Sequence, residues 1–315
     1  MGFFYFFIFM KKTILSLALL VMAMTASAQT IKTAFKKGDV RKYETTLDFN
    51  VGVPMQGETK GSATVLSTYT VKDAGNGWTV EMKVDSFATT GNEEIVSQFA
   101  QESNFKALQK TPAILKLDAK GYVTDVANAD NVLAATAEIA INSINEMYSK
   151  HPEIEKVVPK SKAMLKVNDE LTKDNLLKFI RESSVLSLNG KDIKPGEPFD
   201  EMLLDDMLKA KSTFSVSKDA NGLTVVDKKS ESNMSEDEVK ALVKKQITKM
   251  GGNVDASQID QMWGQLKMMG MTNLEFGSNT SSTFSPDGWL KSEASSSSTT
   301  VVGAKIKFTS TTTLK

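Results

Sequence analysis

Residues 71–84 read VKDAGNGWTVEMKV, and the alternation within that stretch decides the fold class. Trp78, Val80, Met82 and Val84 are separated by Thr79, Glu81 and Lys83, a period of two that gives an extended chain one apolar and one polar face. Asn76 and Gly77 stand just before this segment, and Val65 to Val71 alternates ahead of them, so the pair reads as a hairpin with an Asn-Gly turn. Strands paired locally in this way build an antiparallel sheet.

The same period appears further out in both directions. Tyr43, Thr45, Leu47, Phe49 and Val51 alternate with Glu44, Thr46, Asp48 and Asn50, and near the C-terminus Val302, Ala304, Ile306 and Phe308 alternate with Gly303, Lys305, Lys307 and Thr309. The outer positions of the neighbouring segments are dense in Ser and Thr. Between the strands the apolar spacing becomes helical over Glu94–Leu108, Asn131–Tyr148, Thr172–Ser183, a segment opening at Ser235, and Gln258–Met269. Ser235 and Glu238 stand three apart, the spacing of a capping box. Locally paired strands with helices set between them predict an α+β fold, in which a curved antiparallel β-sheet packs over inserted helices.

Residues 29–315 read as one β-rich domain. The turns KDAGNGW (72–78) and DAKGY (118–122) are followed in the same order by KDANGL (218–223) and SPDGW (285–289). This order fits two pseudo-repeated halves, about 29–150 and 185–315, joined by a helical, charged connection. It fits equally the recurrence of favoured turn residues in any antiparallel protein.

Ahead of that domain, Lys11 and Lys12 precede an apolar run from Ile14 to Met24 and then Ala26, Ser27 and Ala28. These are the three regions of a secretory signal peptide, with cleavage expected between Ala28 and Gln29 and Met10 as the expected true start. The chain is therefore expected in the periplasm or at the outer membrane, with no integral membrane span in its mature form.

Composition removes several function classes. Lys and Arg together number 38 against 38 acidic residues, so there is no basic excess to recommend a nucleic-acid partner. Absence of cysteine excludes thiol chemistry and cysteine-ligated metals, and His151 is the only imidazole, so no catalytic residue, metal or cofactor is assigned. Arg41 and Arg181 are the only arginines, which argues against bidentate capture of phosphate. The acidic cluster of Asp200, Glu201, Asp205 and Asp206 reads as a solvated helix face.

A methionine-rich stretch around Trp263 offers adaptable apolar surface rather than chemistry. The expected apolar ligand lining is Trp78, Met82, Ile141, Ile144, Met262, Trp263, Leu266 and Met269. The expected function is a non-catalytic envelope protein that binds an apolar ligand or lipid between sheet and helices. The alternative is a structural or interaction component that pairs an envelope protein partner with a Ser/Thr-rich sheet edge.

The segments MKKTILSLALLVMAMTASAQ (10–29), KKGDVRKYETTLDF (36–49), LKLDAKGYVTDV (115–126) and FSPDGWLKSEAS (284–295) together resemble an uncharacterised family of exported β-rich proteins from Bacteroidota-type bacteria. The expected architecture is also similar to that of envelope lipoprotein carriers, a likeness of fold alone. Neither resemblance implies catalytic residues.

Overall fold

The computed structural model describes residues 31, 34–53, 57–74, 76–91, 102–150, 152, 155, 159–203, 208–249, 256–268, 272, 274–301 and 304–315. The expected export signal, its cleavage site at Ala28 and Gln29, Met269 and His151 lie outside these residues.

Eleven strands form one antiparallel sheet. In chain order they are β1 (Val40–Val53), β2 (Gly57–Ala74), β3 (Trp78–Gly91), β4 (Ala113–Leu117), β5 (Val123–Val126), β6 (Phe199–Leu203), β7 (Leu208–Lys218), β8 (Thr224–Met234), β9 (Leu274–Phe284), β10 (Leu290–Val301) and β11 (Ala304–Leu314). Six helices are described: α1 (Glu102–Lys110), α2 (Ala129–Lys150), α3 (Lys160–Glu170), α4 (Lys173–Ser183), α5 (Glu236–Lys249) and α6 (Ala256–Met268). The spatial order is β5-β4-β3-β2-β1-β11-β10-β9-β8-β7-β6, so the sheet is open, with β5 and β6 at its two edges. Two local meanders are joined through the pairing of β1 with β11, where Phe49 faces Phe308.

Local chemistry explains the element ends. The Thr172 hydroxyl accepts from the Asn175 amide at the start of α4, and Ser235 and Glu238 cap α5 reciprocally. Three hairpins close in the same manner. In each, the amide of Asp118, Asp219 or Ser285 donates to the carbonyl four residues on, and a glycine in the left-handed region follows at Gly121, Gly222 or Gly288.

One face of the sheet is covered and the other open. On β1 the covered face carries Tyr43, Leu47, Phe49 and Val51, and the register fixes the matching set on every other strand. The main core lies toward one end of the strands. There Tyr43, Val71, Val80, Leu115, Phe284 and Trp289 meet Ile180 of α4 and Leu186, Leu188 and Ile193 from the segment that leads to β6. Phe35 stacks on Trp289 with ring centroids 4.2 Å apart, the Tyr43 hydroxyl donates to the Leu290 carbonyl at 2.8 Å, and the Asn189 amide donates to the Gly288 carbonyl at 3.0 Å. The connecting segment thus ties both meanders to one core.

Gly77 is fixed by packing as well as by its turn. A Cβ there would sit 2.2 Å from the Leu117 carbonyl oxygen, a backbone atom that cannot swing aside. Gly77→Ala is expected to cost about 1–3 kcal/mol, the usual range for overpacking. Gly264 of α6 has open space around its Cβ position, so Gly264→Ala is expected to gain up to about 1 kcal/mol from helix propensity. Thermal unfolding of the two variants should therefore shift in opposite directions.

Candidate functional site

The covered face changes character between the two halves of the sheet. Across β2 and β3 it is apolar, with Val65, Met82, Val84 and Phe87 half-buried. Across β7 to β11 it mixes buried apolar side chains, among them Phe214, Val226, Phe276, Ile306 and Phe308, with a dense set of hydroxyls. Ser212, Ser230, Ser278, Thr280, Ser282, Ser295, Ser297 and Thr312 are all buried there. Buried polar groups cost free energy unless they are bonded, and here Ser212, Ser230 and Ser282 reach carboxylates, Thr280 pairs with Ser295 and Thr312 with Thr45.

Register places these groups in transverse rows. One row runs Ser212, Ser230, Ser278, Ser297, Phe308, Phe49 and Gly61 from β7 to β2. The next runs Phe214, Lys228, Thr280, Ser295, Ser310, Leu47 and Ala63, and the third Val216, Val226, Ser282, Glu293, Thr312, Thr45 and Val65.

Two acidic groups sit inside this lining. Glu201 of β6 accepts the Lys228 ammonium at 2.7 Å on Oε2, and the Ser212 and Ser230 hydroxyls both point at its Oε1, from 2.9 Å in the case of Ser230. The two hydroxyls are 2.7 Å apart, and the Lys228 ammonium also lies 5.8 Å from the centre of the Phe214 ring. Lys191 and Glu182 complete an electrostatic group of two acids and two bases. Burial pushes the Lys191 amine down to about 8, against the pull of Glu182, and burial raises the Glu182 carboxyl against the cations Lys178, Lys191 and Lys228.

Glu293 of β10 differs from Glu201. Its Oε2 accepts from the Ser282 hydroxyl at 2.7 Å, and among the described residues it has no ion pair. Thr312 beside it is committed to Thr45 at 3.0 Å, and Thr280 to Ser295 at 2.9 Å. Burial raises the Glu293 carboxyl to about 7, with the Ser282 bond opposing the rise. The residue as a whole is half-buried.

The expected lining residues are spread over several places. Trp78 and Met82 share the covered face of β3, both half-buried, and the Trp78 indole donates to the Phe35 carbonyl at 3.3 Å. Ile141 and Ile144 lie on α2, Ile141 exposed and Ile144 half-buried. Trp263 is buried, and its indole donates to Glu236 at 3.1 Å, which ties α6 to the first turn of α5. Met262 and Leu266 belong to α6, but their side chains lie outside the description.

Two expectations change. Phe199–Leu203 forms an edge strand instead of a helix, which turns Glu201 inward to Lys228 while Asp200 stays exposed and pairs with Lys209. The Ser/Thr-rich strands β10 and β11 lie in the middle of the sheet, where both neighbours already use their backbone bonds, so they offer no edge to a partner strand. Of the true edges, β5 has its Val123 and Thr124 carbonyls covered by the Arg181 guanidinium.

Two shallow troughs lie along the sheet, lined by residues of the open face together with some of the covered one. One, of about 840 Å³, is lined by Thr213, Asp227, Lys229, Asn279, Ser296 and Thr309. The other, of about 460 Å³, is lined by Asp48, Lys60, Ser62 and Lys307 and shares Thr309. Among the described residues there is no cluster of three or more metal-ligating side chains, and no helix is long and apolar enough to cross a membrane.

No protein-family model matches the chain, and no curated protein matches it. Among solved structures it is similar to DynF from the dynemicin biosynthesis pathway of Micromonospora chersina, at 6% identity and a TM-score of 0.22 over 91% of each chain. A likeness of that degree carries no argument about function.

Proposed function

We propose that this chain is a non-catalytic, exported protein of the cell envelope that holds a lipid or another largely apolar amphiphile between the sheet and its helices. The observation that carries the reading is the divided lining of the covered face, apolar across β2 and β3 and hydroxyl-rich across β7 to β11. An amphiphile would set its chain on the first surface and its polar part on the second. Burial of the chain would supply about 0.8 kcal/mol per CH₂.

A binding role also suits how the polar groups are engaged. Glu201 is matched by Lys228 and takes two serine hydroxyls, an arrangement that suits a carboxylate holding a wall in shape. Export rests on the Lys11–Ala28 segment, and its expected product begins at Gln29.

Full-length protein expressed with its leader, recovered from the envelope fraction, tests the reading. Native and denaturing mass spectra should differ by the mass of one bound molecule, and solvent extraction should release one lipid class in near-stoichiometric amount. A bare protein mass under gentle ionisation, with nothing extractable, would count against it.

A further inference from the structure

Glu293 is the feature of the covered face that the structure leaves unbalanced. The other buried charges there form a set in which Glu182 and Glu201 stand against Lys191 and Lys228. Glu293 takes a single hydrogen bond, from Ser282, and among the described residues no cation reaches it. An ionised carboxylate without a counter-charge is unfavourable in such a site, and its high proton affinity reports that cost.

The groups beside Glu293 in its register row are neutral hydroxyls. Ser282 donates to it and Thr312 is bonded to Thr45, and neither balances its charge. Its Oε1 accepts no hydrogen bond among the described residues, so the carboxylate retains acceptor capacity. Its register row continues through Thr312 and Thr45 to Val65 and Phe87, where the lining becomes apolar. At about 4.8 Å between strands, Val65 lies about 14 Å and Phe87 about 19 Å along the sheet from Glu293.

Building on the ligand-binding reading above, we propose that Glu293 is the headgroup anchor of the site and that the ligand is an amphiphile with a protonated amine head. Its ammonium supplies the missing counter-charge and donates to the carboxylate, while its chain runs over Thr45 toward Val65 and Phe87. A carboxylate-headed lipid of the same length is disfavoured, because it would set a second anion beside Glu293.

Displacement of the neutral dye Nile red from the full chain at pH 8 tests this, with dodecylamine, laurate and dodecanol as competitors below their aggregation concentrations. Dodecylamine should displace the dye at least tenfold more effectively than laurate, with dodecanol between them. Glu293→Gln should remove the amine preference while dye binding persists, and Glu293→Asp should keep it in part. Equal competition by amine and laurate in the parent protein, or an amine preference that survives Glu293→Gln, would overturn the anchor and leave the ligand-binding reading standing. Failure of the parent protein to bind the dye or any of the three amphiphiles would overturn both.

Discussion

Glu201→Ala should lower the unfolding free energy by about 3–5 kcal/mol, because it strands the Lys228 ammonium inside the protein. Lys228 is 6% exposed, and Glu201 is its ion-pair partner at 2.7 Å. The substitution also takes the acceptor from Ser212 and Ser230, which are buried beside it. The loss belongs to the broken pair and not to the pair's net value, since a buried ion pair recovers little more than its own desolvation. Glu201→Leu combined with Lys228→Met should therefore be far less destabilised than Glu201→Ala alone. Urea unfolding of the parent, the single and the double variant checks this, and a single variant within about 1 kcal/mol of the parent would show that Lys228 finds water without Glu201.

Glu201 also marks where local reading of the sequence stops. The segment DEMLLDD (200–206) has its acids at spacings that suit an exposed helix face as well as a strand. Only pairing with β7 turns Glu201 inward, and its partner Lys228 is 27 residues away. By contrast, alternation in Tyr43–Val51 and Trp78–Val84 carries its own register information, and those segments are strands with the expected covered face. The Ser235 and Glu238 cap was equally legible, because both partners lie within one turn.

The serine-rich strands were opaque for a different reason. In SSSSTT (295–300) both faces carry hydroxyls, so no period tells which residues turn inward. Glu293 was hidden by an irregularity in β10. Leu290 faces the core, and strict alternation from it would send Ser292 inward and Glu293 out to water. The register instead shifts between Leu290 and Ser292, which moves Glu293 to the covered side. The central place of β10 and β11 depends on β1 meeting β11, a contact between opposite ends of the sheet-forming chain that no local pattern encodes.

The inward turn of Glu293 should make stability depend on pH in the opposite sense to a carboxylate paired with a cation. Its carboxyl is raised from an ordinary 4.5 to about 7, chiefly by burial. Between those values the folded chain retains a proton that the unfolded chain has released, so folding is favoured at the lower pH and weakens as pH rises through the window. Above about pH 7 both states are ionised and the dependence ends. At 1.36 kcal/mol per unit, Glu293 accounts for about 3 kcal/mol lost between pH 4.5 and 7. Glu182, also raised by burial, acts in the same direction, and carboxyls lowered by lysine partners, such as Glu236 and Asp260, act in the opposite one. The difference between parent and Glu293→Gln cancels those contributions, because Gln keeps the shape and cannot ionise. Urea unfolding at half-unit steps from pH 4.5 to 8 should find the two proteins converging at the acid end and Glu293→Gln the more stable by about 3 kcal/mol at pH 8. A difference that stays constant across the range would mean that Glu293 titrates as it does in water, and that its side chain is not enclosed by the covered face.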